Sequence, residues 1–285
     1  IQAVAGSPER LDTIIERLKQ QSLGLQKQRD DLLEVAGLLE IYRDDGHVCK
    51  RCEDTGYIGS TKCECFQKLL REAAFDALGA SHPQDCRFSN FSLDYYSPQP
   101  LANGVVPRQR MAQVKNFCSD YARDFFVERH SFSKAQSSPS LLFLGNTGLG
   151  KTHLSLAIAG QVINKGYGVI YGSAQNLLAK LEKEKFSFNN TEDQPQSYLS
   201  LVLECDLLIL DDLGTEFLSQ FVTAMLYNII NTRLLEGRPT IISTNLSFQE
   251  ISKRYTDRLT SRLFGGYMHF EFLGRDIRIQ SKIMG

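Results

Sequence analysis

No apolar run in this 285-residue chain approaches the length of a membrane span, which argues against a helical membrane protein. An excess of one charge sign is missing too. The formal net charge of −1 leaves no overall electrostatic attraction to nucleic acid, so any such binding has to come from a local basic patch. No secretory signal leads the chain, and it opens at Ile1 instead of methionine, which reads as a trimmed start; nothing about export follows. Cysteine is scarce outside one cluster. Of seven, four fall between Cys49 and Cys65, while Cys86, Cys118 and Cys205 are scattered, a pattern of reduced thiols around a metal and not of a disulfide framework. The cytoplasm is the expected compartment. Hydrophobic residues at 42% and charged residues at 23% are ordinary for a globular protein, enough for one large domain or a medium one with an appendage.

What is present begins with Gly145-Asn146-Thr147-Gly148-Leu149-Gly150-Lys151-Thr152, which fits the phosphate-binding pattern of Gly, four residues, Gly, Lys, Ser/Thr without a mismatch. The apolar run Ser140 to Leu144 before it reads as a buried strand, and His153 to Ala159 after it as a helix. In that context the glycines let successive N–H groups and the helix N-terminus face β- and γ-phosphates. Lys151 adds a positive charge, and Thr152 offers its hydroxyl to a bridging magnesium ion.

Leucine recurs every seven residues at Leu11, Leu18, Leu25, Leu32 and Leu39, so residues 8–45 read as helix or a helical hairpin, with Gly24 and Gly37 as weak points. The stripe packs either on its own domain or on a partner protein. Cys49 and Cys52, then Cys63 and Cys65, flank the turn-forming Asp54-Thr55-Gly56-Tyr57 and can gather four thiolates around one tetrahedral zinc, with His47 as a substitute ligand. Residues 66–80 read as helix, and the stretch 81–109, rich in Pro, Ser and Asn, as a linker. Residues 110–130 read as a helix with Met111, Val114, Phe117, Tyr121 and Phe125 on one face. Beyond it, strands at 140–144, 168–171, 206–210 and 240–244 alternate with helices near 174–184 and 217–235, which implies a mostly parallel sheet covered on both faces.

The run Leu207 to Leu210 ends in Asp211 and Asp212, where an NTPase needs carboxylates beside the phosphates. Asp211 is expected to hold magnesium and Asp212 to polarise the attacking water, although an Asp pair after a strand also serves simply to cap a loop. Asn245, at the next strand end, suits a hydrogen bond to the γ-phosphate and the lytic water. Arg258 and Arg262 lie four apart on one helical face, either as a solvated basic face or reaching a neighbouring subunit's phosphates; Arg275 and Arg278 offer a cationic sensor.

In that order, the phosphate loop, Asp-Asp strand, Thr-Asn strand end and paired arginines over 140–285 resemble the AAA+ ATPases of the DnaC/DnaI helicase-loader and IstB group. With the cysteine module in front, the chain is similar to bacterial and phage loaders of the DnaI type. The resemblance implies an α/β AAA+ P-loop domain at 110–285 and a small helical and zinc-binding module at 1–80 that binds a DnaB-type replicative helicase. It further implies Arg262 as an arginine finger with Arg258 beside it, Arg278 as a second sensor, self-association of the ATPase domains, ATP, magnesium and zinc as cofactors, and single-stranded DNA along the assembly. Lys180 to Gln196, with Lys183, Lys185, Phe186 and Phe188, occupies the place of the family's initiator-specific insertion; charge and aromatics there suit single-stranded DNA, and a plain surface helix explains them as well. Alternative readings are an IstB-like transposition helper, a small-molecule kinase sharing the phosphate loop, and an adaptor that binds nucleotide without cleaving it.

Overall fold

The computed structural model describes residues 20, 24–25, 27–37, 47–59, 61–69, 86–127, 137–186 and 197–284. Two compact units divide the chain between Phe66 and Gln67. In the first, residues 27–35 are helical, and Leu25 and Leu32 of the leucine stripe are exposed; Leu11, Leu18 and Leu39 lie outside the described residues. A two-stranded antiparallel hairpin follows, β1 (Tyr57–Ile58) and β2 (Thr61–Lys62), between the two cysteine pairs. The turn that leads from Cys52 into β1 depends on left-handed backbone at Glu53, Asp54 and Gly56, where φ is 51°, 58° and 77°. Phe66 closes over Gly56, so a Cβ there would come within 3.2 Å of the Phe66 ring.

The second unit opens with α1 (Pro107–Arg123) and the strand β3 (Ser140–Leu144). Then come α2 (Lys151–Asn164), β4 (Val169–Ser173), α3 (Ala174–Phe186) and α4 (Tyr198–Glu204). The chain continues through β5 (Leu207–Leu213), α5 (Gln220–Leu235), β6 (Thr240–Thr244), α6 (Phe248–Arg254), α7 (Asp257–Gly266), β7 (Tyr267–Glu271) and α8 (Ile277–Met284). The strands form one five-stranded sheet in the order β4-β5-β6-β3-β7, every pair parallel. The phosphate-loop strand β3 therefore lies between β6 and the edge strand β7, with β4, β5 and β6 to one side of it and β7 to the other, which opens a crevice at the carboxyl ends of the strands.

Strand periodicity divides the core into two layers. Leu141, Phe143, Leu207, Ile209 and Ile241 face α1 and α2, with Met111, Val114, Tyr121, Leu154 and Ile158. Leu142, Leu208, Leu210 and Ile242 face the other side, against Leu177 and Leu181 of α3, Leu226 and Ile230 of α5, and Leu259 and Leu263 of α7. Both faces of the central strands are covered, so they read as continuous apolar runs. The face expected on α1 is the one buried, but the helix stops at Arg123, and Phe125 reaches the core from the extended segment that follows. Residues 86–106, which composition presents as connecting chain, contribute to the second unit instead: Phe91 and Tyr96 belong to its core.

Arg233 of α5 is wholly buried and has no carboxylate partner among the described residues. Its guanidinium donates to the carbonyls of Val202, Leu203 and Cys205 at 2.9, 3.0 and 3.0 Å, to Pro239 O at 2.7 Å and to Thr240 Oγ1 at 2.9 Å. The cation thus sits at the negative end of α4, supplying donors to carbonyls that the helix itself leaves unpaired. Arg233→Met keeps the bulk and removes those donors; urea unfolding is expected to show a loss of about 3 kcal/mol, and a loss under about 1 kcal/mol would mean that the carbonyls find other partners.

Candidate nucleotide site and thiol cluster

Gly145 to Gly150 join β3 to α2, and three of these residues need glycine's backbone freedom: φ is 142° at Gly145, 72° at Gly148 and 84° at Gly150. Each also lies against another segment. A Cβ on Gly145 would stand 2.5 Å from the Phe272 carbonyl, on Gly148 2.0 Å from the Asp276 carboxylate, and on Gly150 2.7 Å from the Phe91 ring. Two stretches therefore press on the loop. Residues 86–96 do so from one direction, with the Tyr96 hydroxyl donating to Leu149 O at 2.9 Å and His153 Nε2 lying 2.9 Å from Arg87 O. The C-terminal stretch presses from another, with the Ile277 N–H donating to Gly148 O at 2.9 Å and Asp276 capping α8 by accepting from Arg278 N at 2.8 Å.

Between them lies a pocket of about 280 Å³, lined by Ser92, Tyr95, Thr147 to His153, Asp212 and Arg278, among others. Lys151 Nζ donates to Gly145 O at 2.6 Å and Asn146 O at 2.7 Å, so its ammonium occupies the cradle of the loop. Burial lowers the Lys151 pKa; Asp212 and Asp211 oppose that shift and Arg278 adds to it.

Asp211, buried, lies behind the loop. Its Oδ2 accepts from Thr152 Oγ1 at 2.8 Å and from the Tyr171 hydroxyl at 2.9 Å, and its Oδ1 accepts from Ser243 Oγ. Burial first, and then Asp211, raises the Tyr171 pKa, so the phenol stays a neutral donor. Beyond Asp211 a bulge interrupts β5: Leu210 pairs with Ile242, yet Leu213 pairs with Thr244. Asp212 stands in the bulge at φ 54°, exposed to the pocket, its N–H donating to Ser243 Oγ at 2.9 Å. Partial burial, with the Asp211 charge beside it, raises its pKa from the ordinary aspartate value, while Lys151 and Arg278 pull it back.

Lys151, Thr152, Asp211, Asp212 and Arg278 are thus brought together. Asn245 follows β6, exposed, and lines a larger neighbouring cavity of about 1060 Å³, which touches the loop at Gly145, Asn146 and Leu149 and also holds Arg275. Arg258 and Arg262 stand exposed on α7 and line neither cavity, and their side chains make no hydrogen bond or ion pair with another described residue. Of the Lys180 to Gln196 stretch, residues 180–186 finish α3, with Lys185 4.9 Å from the Phe221 ring centroid and Phe186 exposed; Phe188 lies outside the described residues. Sequence reading missed Phe91, Tyr96, Tyr171, Ser243 and Asp276. An aromatic in a strand reads as core, and no spacing rule links these residues to the loop.

In the first unit, the sulfurs of Cys49, Cys52, Cys63 and Cys65 all lie within 4.8 Å of one another, with Cys49 and Cys63 3.7 Å apart and Cys52 and Cys65 3.3 Å apart. Four thiolates about 2.3 Å from a zinc ion stand about 3.8 Å from one another, so the set fits a tetrahedral ion. Backbone N–H groups of Arg51 and Cys52 turn toward Cys49 and bring its thiol down to about 7, favouring the thiolate. His47 is directed elsewhere, its Nδ1 3.7 Å from Asp54, whose carboxylate accepts from the Val48 and Cys49 N–H groups and ties the knuckle together.

Among curated proteins, the chain is similar to the replicative helicase loader DnaC of Escherichia coli K12, 27% identical over 124 residues that cover 44% of this chain and 49% of that protein. It is also similar to the insertion sequence IS5376 putative ATP-binding protein of Geobacillus stearothermophilus, 28% identical over 148 residues, 50% of this chain and 57% of that one. The chain spans about half the length of the curated relatives it matches. Among solved structures, domain III of the Thermotoga maritima replication initiation protein DnaA aligns with a TM-score of 0.50 at 21% identity over 70% of this chain and 71% of that one, a likeness of fold. The family described as IstB-like ATP binding protein matches residues 117–270, more than half of the 285 residues, from within α1 to within β7 around the phosphate loop. The chain therefore belongs to the IstB-like ATP-binding family, with an AAA+ P-loop domain.

Proposed function

We propose that this protein is an ATP-dependent loader that binds a DnaB-type replicative helicase and single-stranded DNA. The observation that carries the reading is a half-built catalytic site: Lys151, Thr152, Asp211, Asp212 and Arg278 meet around one loop, while Arg258 and Arg262 stand exposed away from it, their side chains unpartnered among the described residues. A second copy of the chain is the natural recipient of those arginines. In this reading the loop N–H groups from Gly145 to Gly150 and the Lys151 ammonium hold the triphosphate, Lys151 leaving the carbonyls of Gly145 and Asn146 to do so. Thr152 and Asp211 hold magnesium, which when bound neutralises phosphate charge. Asp212 polarises the attacking water, its raised pKa making it a better proton acceptor than an ordinary carboxylate. Asn245 orients the water and the γ-phosphate, Arg278 senses the nucleotide from the C-terminal side, and Arg262, with Arg258 beside it, completes the site of a neighbouring subunit. ATP orders the subunits, and hydrolysis releases the helicase. The cysteine module over 1–80 and its exposed leucines are the helicase-binding part, stapled by zinc on Cys49, Cys52, Cys63 and Cys65. Lys183, Lys185 and Phe186 attract and stack single-stranded DNA. The site is expected to operate in the cytoplasm.

A second reading has the support of the IS5376 relative: a transposition helper with the same ATPase, which uses duplex DNA. A binding titration separates the two, since preference for duplex over single-stranded DNA and no capture of a hexameric helicase would replace the first by the second.

Steady-state hydrolysis of ATP is the direct assay of the chemistry. Asp212→Asn is expected to lower kcat about a hundredfold with nucleotide binding intact. For the unmodified chain, kcat should fall with acid at a higher pH than an ordinary aspartate would set, because Asp212 must be deprotonated to accept the proton. Arg262→Ala is expected to reduce turnover about a thousandfold while leaving each chain's own pocket able to bind nucleotide. Turnover unchanged by either substitution would remove that residue from the mechanism.

Metal analysis of the purified chain is expected to find one zinc per chain, and chelation to melt the 47–66 hairpin, read as lost amide protection in hydrogen exchange. Protection that persists with no metal bound would show that the hairpin holds without zinc.

A further inference from the structure

We infer that Tyr171 is a positioning residue for Asp211, restraining the carboxylate oxygen that lies next to the proposed magnesium ligand Thr152. The inference rests on the nucleotide-magnesium reading of this site. Asp211 is buried, yet no lysine, arginine or histidine hydrogen-bonds it among the described residues; its donors are three hydroxyls, from Thr152, Tyr171 and Ser243. Neutral donors satisfy the lone pairs of a buried carboxylate without cancelling its charge, which remains available to a cation. The nearby Lys151 ammonium is bonded to loop carbonyls.

The donors are not equivalent. Ser243 Oγ also accepts the Asp212 N–H at 2.9 Å, so it holds the Asp211 carboxylate and the Asp212 backbone together. Thr152 and Tyr171 share Oδ2 at 2.8 and 2.9 Å. Thr152 is the group expected to bind the metal, which leaves Tyr171 as the donor on Oδ2 with no other task. It reaches Asp211 from β4, while Thr152 belongs to α2 and Ser243 to β6, so the carboxylate is fixed by three separately packed elements. Without the phenol, Thr152 has to act both as metal ligand and as sole restraint on Oδ2. Outer-shell partners of this kind govern metal affinity more than nucleotide affinity.

The test is Tyr171→Phe, which keeps the ring. Binding of a fluorescent non-hydrolysable ATP analogue is measured in EDTA and across a magnesium titration, with manganese binding followed by electron paramagnetic resonance in the presence of the same analogue. The magnesium concentration for half-maximal tightening is expected to rise about tenfold, and manganese affinity to fall by the same factor. Affinity in EDTA should stay within about twofold of the unmodified chain, because the phosphate loop is untouched. Unchanged half-saturation overturns the inference, and so does an equal loss with and without metal, which is what a packing defect produces. An unmodified chain whose analogue binding ignores both magnesium and Lys151→Ala would instead overturn the nucleotide reading, and this inference with it.

Discussion

The buried carboxylate of Asp211 is the point on which the candidate site depends. It belongs to β5 and is bonded to Thr152 of α2, Tyr171 of β4 and Ser243 of β6, so four elements share one hydrogen-bonded node at the carboxyl end of the sheet. Each bond is made by a hydroxyl whose backbone is already held by packing: Tyr171 lies on a strand paired in register with β5, and Ser243 is on a fully buried strand. Because the node adds no positive charge, it orients a carboxylate without using up its attraction for a cation. The β5 bulge follows from the same arrangement: an extra residue after Leu210 lets Asp211 turn inward and Asp212 outward, with Ser243 joined to both.

The walls of the pocket come from chain distant in sequence. Phe91 and Tyr96 arrive from the segment before α1, Asp276 and Ile277 from the segment after β7, and all close on a loop whose glycines leave them room. Contact of this density means that the loop cannot change shape alone. The Gly148 carbonyl is tied to Ile277, and Asp276 caps the helix that carries Arg278, so a movement at the loop tip is transmitted to the C-terminal helix over only a few bonds. The proposed sensor role of Arg278 draws on this connection between the loop and the helix that carries it.

In the proposed reading, the sheet also explains why one chain would hold an incomplete site. Lys151, Asp211 and Asp212 follow β3 and β5 into the crevice, whereas Arg258 and Arg262 lie on α7, whose apolar residues Leu259 and Leu263 are committed to the opposite layer of the core. With that face buried, the arginines are directed outward, lining neither cavity. Such geometry favours a function that proceeds through assembly, consistent with the loader proposal, over one completed within a single subunit.

Much of this was legible in the residues. The phosphate-loop pattern, the apolar runs of the central strands and the Cys49, Cys52, Cys63, Cys65 spacing each depend on local chemistry: glycine where φ is positive, alternation along a strand, thiols across a tight turn. The edge strand β7 was not legible, because Tyr267–Glu271 buries only part of one face and lacks an apolar run. Nor were the partners of Asp211, since Tyr171 and Ser243 lie 40 and 32 residues from it and carry no spacing signature. By itself the sequence determined which groups can bind phosphate and metal, since that chemistry belongs to single side chains and short turns. Only the tertiary structure decided which of them meet, which carboxylate turns inward and which arginines face away, because those outcomes depend on strand order and on which helix face the core claims.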